Sequence, residues 1–360
     1  MDRGKIPVDL IMAKLEADAR AAKHRLERAR DIFHGPLATD IGATPYEPVF
    51  QTDRVRLKYY RPETARLKTP LLLVHGLFNR ETLLDLQPGR SIVQNLLKEG
   101  VEIYLIEWGS PTRRDQFLTL DDHINGYMDD MVEFIRRRHG VPKVNLMGVC
   151  LGGTFAVIYA ALHPEKIRNL ITTVAPTHFN TPKGLLHIWM QEIDVDRLVN
   201  AFGNLPGSLV NAAFLLLNPP RLLLDKYLGF LENMDDKDFV ENFIRMEKWI
   251  FDSPDVPGET VRQVIKDLYQ ENLLVQGKMR LGGRRVDLRR VTMPLLNIYG
   301  RYDHLVPPEA CEVLAEKVGS QDTENVCLDT GHVGIYVSSR FQKETVPKIA
   351  AWLLAREGRN

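Results

Sequence analysis

Residues 148–153 read Gly-Val-Cys-Leu-Gly-Gly and place a thiol, Cys150, between an apolar run, KVNLMGV, and a stretch of small and apolar residues, TFAVIYAALH. A nucleophile held on a tight strand-to-helix turn needs such neighbours, because a Cβ on either side would block the close approach of the backbone. The start of the following helix would add unpaired N–H groups and the positive end of its dipole, which favour a thiolate and an oxyanion forming beside it. Alone, the same pattern also fits a buried cysteine in a glycine-rich turn. Two further residue types follow in a telling order. Asp303 closes PLLNIYGRYD, and His332 follows NVCLDTG, each at the end of an apolar run. A lone aspartate or histidine in a loop is ordinarily a capping or surface residue. A cysteine, an acid and a histidine in this order, each after a strand, instead fit a nucleophile, its acidic partner and its base. His304 is a weaker base because adjacent side chains diverge from Asp303, and Asp329 is a weaker acid because it reads as a turn residue.

Residues 75–80, HGLFNR, end the first buried run and resemble a loop whose backbone N–H helps hold an oxyanion, so the expected donors are the amides of Leu77 and Leu151. His75 reads as structural. Cys311 and Cys327 read as packing cysteines on a helix and a strand. Three cysteines at irregular spacing form neither a disulfide framework nor a zinc site, and no metal is expected. A cysteine attacking a thioester makes another thioester, so the acyl group stays activated and can pass to a hydroxyl if water is excluded. That chemistry points to acyl transfer from a coenzyme A thioester, with no cofactor beyond the coenzyme A that leaves.

The elements that must hold these residues are legible as alternating patterns. PLLLVHG, VEIYLIEWG, KVNLMGVC and IRNLITTVAP read as buried parallel strands separated by helical stretches such as 122–139, and the pattern resumes at PLLNIYGRYD and NVCLDTGH. This is the plan of the α/β-hydrolase fold. Residues 46–176 and 291–360 are expected to form its core, 177–290 a mostly helical cap inserted before the strand that carries Asp303, and 1–45 an N-terminal helical segment. Within that segment, 9–34 has amphipathic spacing and ends at Gly35-Pro36. Of the 360 residues 44% are hydrophobic, which suits a sizeable core, and 47 basic residues balance 47 acidic ones. A balanced charge offers no field for a polyanion, so nucleic acid is not an expected partner. The charged N-terminus lacks the apolar core of a secretory signal, and the greasy stretch 209–224 is interrupted by Asn211, Asn218, Pro219, Pro220 and Arg221, so a cytoplasmic chain with no transmembrane segment is expected.

GVCLGG, GRYDHLVPP and GHVGIYVS, together with LTLDDHINGY and RMEKWIFDSPDVPGET, resemble the short catalytic subunit of the two-subunit, class III polyhydroxyalkanoate synthases, over about residues 46–354. The resemblance implies polymerisation of (R)-3-hydroxyacyl-coenzyme A, chiefly 3-hydroxybutyryl, into a storage polyester with release of coenzyme A. It puts the family's nucleophile on Cys150, its aspartate on Asp303 and its histidine on His332. It further implies a second, non-catalytic subunit, self-association and residence on polyester granules. Asp303 either orients His332 or activates the 3-hydroxyl that attacks next; the second role is the one favoured, because a thiol needs less help than a hydroxyl. The main rival is a cap-bearing cysteine hydrolase, such as a thioesterase, esterase or lactone hydrolase, with the same triad. A catalytically silent scaffold would leave the triad broken, and here it is whole.

Overall fold

The computed structural model describes residues 8–358. Eight strands form one sheet: β1 (Glu47–Thr52), β2 (Val55–Tyr60), β3 (Leu71–Val74), β4 (Ile103–Glu107), β5 (Val144–Val149), β6 (Ile167–Thr173), β7 (Leu295–Gly300) and β8 (Thr323–Leu328). Their spatial order is β1-β2-β4-β3-β5-β6-β7-β8. β2 runs antiparallel to both its neighbours, and every pairing from β4 onward is parallel. All residues of β3, β5 and β7 are buried, which is why their sequences are mostly apolar rather than alternating.

A line of polar side chains crosses the buried strands. Asn145 on β5 accepts from Asn169 on β6 at 2.7 Å, Thr172 on β6 donates to Asn297 on β7 at 2.9 Å, and Asn297 donates to Asn325 on β8 at 2.9 Å. The first and last of these pairs lie directly opposite one another, as do Asn297 and Thr172. Each satisfied pair ties its strands to one register, because a one-residue slip would leave amides buried without partners.

The helices in chain order are α1 (Val8–His34), α2 (Ile92–Lys98), α3 (Asp129–His139), α4 (Leu151–Leu162), α5 (Leu185–Glu192), α6 (Val195–Phe202), α7 (Gly207–Leu216), α8 (Lys226–Glu232), α9 (Lys237–Phe251) and α10 (Gly258–Gln263), with shorter helical turns between and after them. Every residue of α4 is buried, as its composition of small and apolar side chains requires. α3 ends in a left-handed Gly140, which lets its last carbonyls be capped by the following backbone.

The chain divides into two compact units. The larger, Ile41–Leu217 with Trp249–Asn360, contains the sheet and α2 to α7 and α10. The smaller consists of Met1–Asp40 with Asn218–Lys248, of which 8–40 and 218–248 are described. Inside it Phe33 of α1 meets Phe230 of α8 edge-on, Phe230 lies 4.3 Å from Phe243 of α9, and Arg28 pairs with Asp235. The amide of Ala38 donates to Glu241 at 3.0 Å. Residues 177–290 between β6 and β7 are mostly helical, and 218–248 belong to the same compact unit as the N-terminal helix.

Candidate active site

β5 delivers Cys150 to the C-terminal edge of the sheet, the edge where open α/β sheets bind their ligands. Cys150 has φ +53° and ψ −128°, a conformation that side chains other than glycine rarely adopt. The glycines around it are required by space. A Cβ on Gly152 would come within 2.4 Å of the Val74 carbonyl oxygen, one on Gly148 within 2.4 Å of Gly153 Cα, and one on Gly153 within 2.3 Å of Ala175 Cβ. The turn is held from below: Cys150 N–H donates to the Thr173 carbonyl at 2.9 Å, and the buried Tyr336 hydroxyl donates to that same carbonyl at 3.3 Å. Tyr336 lies four residues beyond His332, in the short helix Gly334–Val337 that follows the histidine's turn, so one short segment supplies both the histidine and a brace for the cysteine turn. Nothing in the local sequence pattern marks this tyrosine, whose partner is 163 residues away.

Asp303 follows β7 and His332 follows β8, and the two meet with His332 Nδ1 at 2.7 Å from Asp303 Oδ2. The other carboxylate oxygen accepts from the backbone N–H groups of Leu305, at 2.9 Å, and Val306, at 2.8 Å. The Asp303 side chain has 0% of its surface exposed. The Cys150 thiol lies near enough to His332 for its charge to bear on the ring. Burial alone would lower the histidine pKa, but the Asp303 carboxylate, and Cys150 in its thiolate form, outweigh it and hold the ring well above the usual imidazole range. With Nδ1 committed to Asp303, Nε2 is the ring nitrogen that can exchange a proton with the thiol.

Of the two roles expected for Asp303, this arrangement is the one that orients His332: its oxygens accept three hydrogen bonds, one of them from the ring. The same geometry separates the competitors, since Asp329 forms an exposed ion pair with Arg301 at 2.7 Å instead of reaching His332. His75 is buried, donates from Nδ1 to the Gly76 carbonyl at 3.0 Å and is pushed down to about 4 by burial, so it stays neutral and structural. Cys311 is a buried packing residue whose thiol burial pushes up. Cys327 is not: it lies exposed on β8, the last strand of the sheet, where one flank has no neighbouring strand.

The two expected oxyanion donors lie on converging backbones. Leu151 is the first residue of α4, so its N–H has no partner within the helix. A Cβ on Gly76 would stand 3.6 Å from the amide nitrogens of Leu151 and Gly152, which brings the loop bearing Leu77 against the start of α4. Above Cys150 opens a cavity of about 270 Å³, lined by Phe78, Leu186, Met190, Val210, Phe214 and Val261 among others. α7 supplies four of its lining residues, Leu209, Val210, Ala213 and Phe214, and α5 and the turn after α10 supply others. Among the described residues that line it, Tyr269 is, besides Cys150, the one with a polar side-chain atom. This apolar chamber was not legible beforehand, because its lining residues are scattered over 78–306. No group of His, Cys, Asp and Glu among the described residues is arranged to hold a metal ion, and no described helix is long and apolar enough to cross a membrane.

Residues 69–339 match the family model for the α/β-hydrolase fold. The chain is 46% identical over 353 residues to the poly(3-hydroxyalkanoate) polymerase subunit PhaC of Allochromatium vinosum, covering 97% of this chain and 99% of that one. It is 44% identical over 354 residues to the protein of the same name from Thiocystis violacea, again covering 97% and 99%. Among solved structures, a thermophilic esterase from Thermogutta terrifontis superposes with a TM-score of 0.54 at 17% identity, over 87% of this chain and 99% of that one, a likeness of fold alone.

Proposed function

Because the chain belongs to the poly(3-hydroxyalkanoate) polymerases built on the α/β-hydrolase fold, we propose that it polymerises (R)-3-hydroxyacyl-coenzyme A, chiefly 3-hydroxybutyryl, through an acyl group carried on Cys150. The observation that supports this reading most is the hydrogen-bonded Asp303–His332 pair beside a cysteine that lines an apolar chamber. His332 Nε2 takes the Cys150 proton, and the thiolate attacks the thioester carbonyl. The amides of Leu77 and Leu151 hold the oxyanion. The bond to the coenzyme A sulfur breaks, and that sulfur leaves with the proton from His332. In the second half, the hydroxyl of another 3-hydroxyacyl unit gives its proton to His332 and attacks the acyl-cysteine carbonyl. The ester forms, the C–S bond to Cys150 breaks, and the returning proton restores the thiol.

Asp303 serves both halves by holding the tautomer and orientation of His332 and by stabilising the imidazolium. The apolar wall supports transfer to a hydroxyl over hydrolysis, since it excludes water from the acyl-cysteine. The relatives' designation as subunits supports a companion, non-catalytic chain, and an insoluble product supports residence on polyester granules. Incubation with 3-hydroxybutyryl-coenzyme A, with coenzyme A release and acyl product measured together, tests the reading. Insoluble polyester is the expected product, and stoichiometric soluble 3-hydroxybutyrate would overturn it in favour of a hydrolase.

A further inference from the structure

Tyr269 is the exception in the chamber above Cys150. It lies in the helical turn Val264–Gln270 that continues α10, with its ring packed edge-on against Phe179 at 4.9 Å and tilted against His187 at 5.2 Å. Its backbone carbonyl accepts from Gln191. The residue is 8% exposed, and its hydroxyl makes no hydrogen bond within the described residues. An unpartnered hydroxyl held in an apolar enclosure is unfavourable unless something that enters the enclosure completes it. Every other lining side chain except Cys150 is apolar, so a polar group entering on an acyl chain finds one side-chain hydroxyl to meet.

Resting on the reading above, in which the substrate carries a hydroxyl at its third carbon, we propose that the Tyr269 hydroxyl hydrogen-bonds that 3-hydroxyl and so selects 3-hydroxyacyl thioesters over plain acyl ones. A phenol can both donate and accept, so it suits a substrate hydroxyl in either sense. Burial, with the Cys150 thiolate nearby, raises the Tyr269 pKa, which keeps the phenol protonated at neutral pH. A plain acyl chain would fill the chamber but leave the phenol unpaired. Sites that hydrogen-bond a substrate hydroxyl discriminate in this way against analogues lacking it.

Tyr269→Phe keeps the ring and its packing and removes one oxygen that bonds nothing in the chain, so folding is not at stake. Single-turnover acylation of Cys150, followed by mass spectrometry of the quenched enzyme, is compared for 3-hydroxybutyryl- and butyryl-coenzyme A. The expected result is that the preference for the hydroxylated thioester falls about ten- to a hundredfold, with the butyryl rate unchanged or raised. Equal loss with both thioesters, or no loss with either, overturns the proposal. The same comparison of dissociation constants in Cys150→Ala, with and without Tyr269→Phe, gives the answer where acylation is too fast to time. Because acylation precedes the fate of the acyl group, this result is independent of whether polymer or free acid is made. A collapsed preference with free acid as product would sink the polymerase reading and leave Tyr269's role standing, and an unmoved preference with polymer would do the reverse.

Discussion

Three hydrogen bonds converge on the two oxygens of Asp303, two from backbone amides and one from His332. A residue so fixed is placed to act through the ring it orients. Asp303→Asn should therefore slow acylation of Cys150 itself, by about two to four orders of magnitude, because an amide cannot stabilise the imidazolium and can invert the tautomer. Rapid-quench mass spectrometry checks this: the variant should remain unmodified at Cys150 while wild type is acylated, and Cys150→Ala should never carry an acyl group. Build-up of a stalled, singly acylated Asp303→Asn would instead restore a role for the carboxylate in extension. At this scale Cys150, Asp303 and His332 were legible because chain order after successive strands is itself a pattern. Tyr269 and Tyr336 were not, since a tyrosine's meaning depends on what lies across the fold from it. Cys327 was misjudged because a cysteine in an apolar run gives no sign that its strand stands at an edge.

The turn between β5 and α4 shows how an element enforces that arrangement. Gly152 faces the Val74 carbonyl and Gly153 faces Ala175 with no room for a methyl group. Gly152→Ala should push the turn off β3, costing about 1–3 kcal/mol of stability and moving Cys150 away from His332. Thermal melts and acylation rates should fall together, whereas Gly126→Ala, where a Cβ would meet nothing within 4 Å, should leave both near wild type. The buried strands were readable from composition because a parallel strand covered on both faces has no solvent-facing position to make its pattern alternate. Even so, Asn145, Asn169 and Asn297 sit fully inside those strands, and their role in fixing register appears only once the strands are side by side. The helical stretch between β6 and β7 was readable as helix but not as divided between two compact units, because amphipathic spacing says that a face is buried and not against what.

For the molecule as a whole, the histidines give stability a direction with pH. His75 and His123 are both pushed down to about 4 by burial. Below about pH 6.5 the unfolded chain takes up protons at these sites that the folded chain refuses until about pH 4, so stability declines across that window. Each site contributes on the order of 3 kcal/mol by its lower end. His332 has the opposite shift, so its contribution is fully present below about 6.5 and is lost only as pH rises through its folded value. The depressed carboxylates Glu107 and Asp129 begin to lose theirs only as pH falls below the ordinary carboxylate range. Denaturant unfolding from pH 7.5 to 4.5 should therefore show a steady decline, and His123→Gln, weaker at pH 7.5, should show a shallower one. An unchanged slope in that variant would refute the assignment. Nε2 of His332 has a further consequence on the proposed reading. Each added unit uses that one nitrogen twice, as thioester and as hydroxyl, so loading and extension exclude each other in time within a subunit. The enzyme is then a two-stroke device, and from a mixed feed the order of units along a copolymer is a written record of which monomer won each successive stroke.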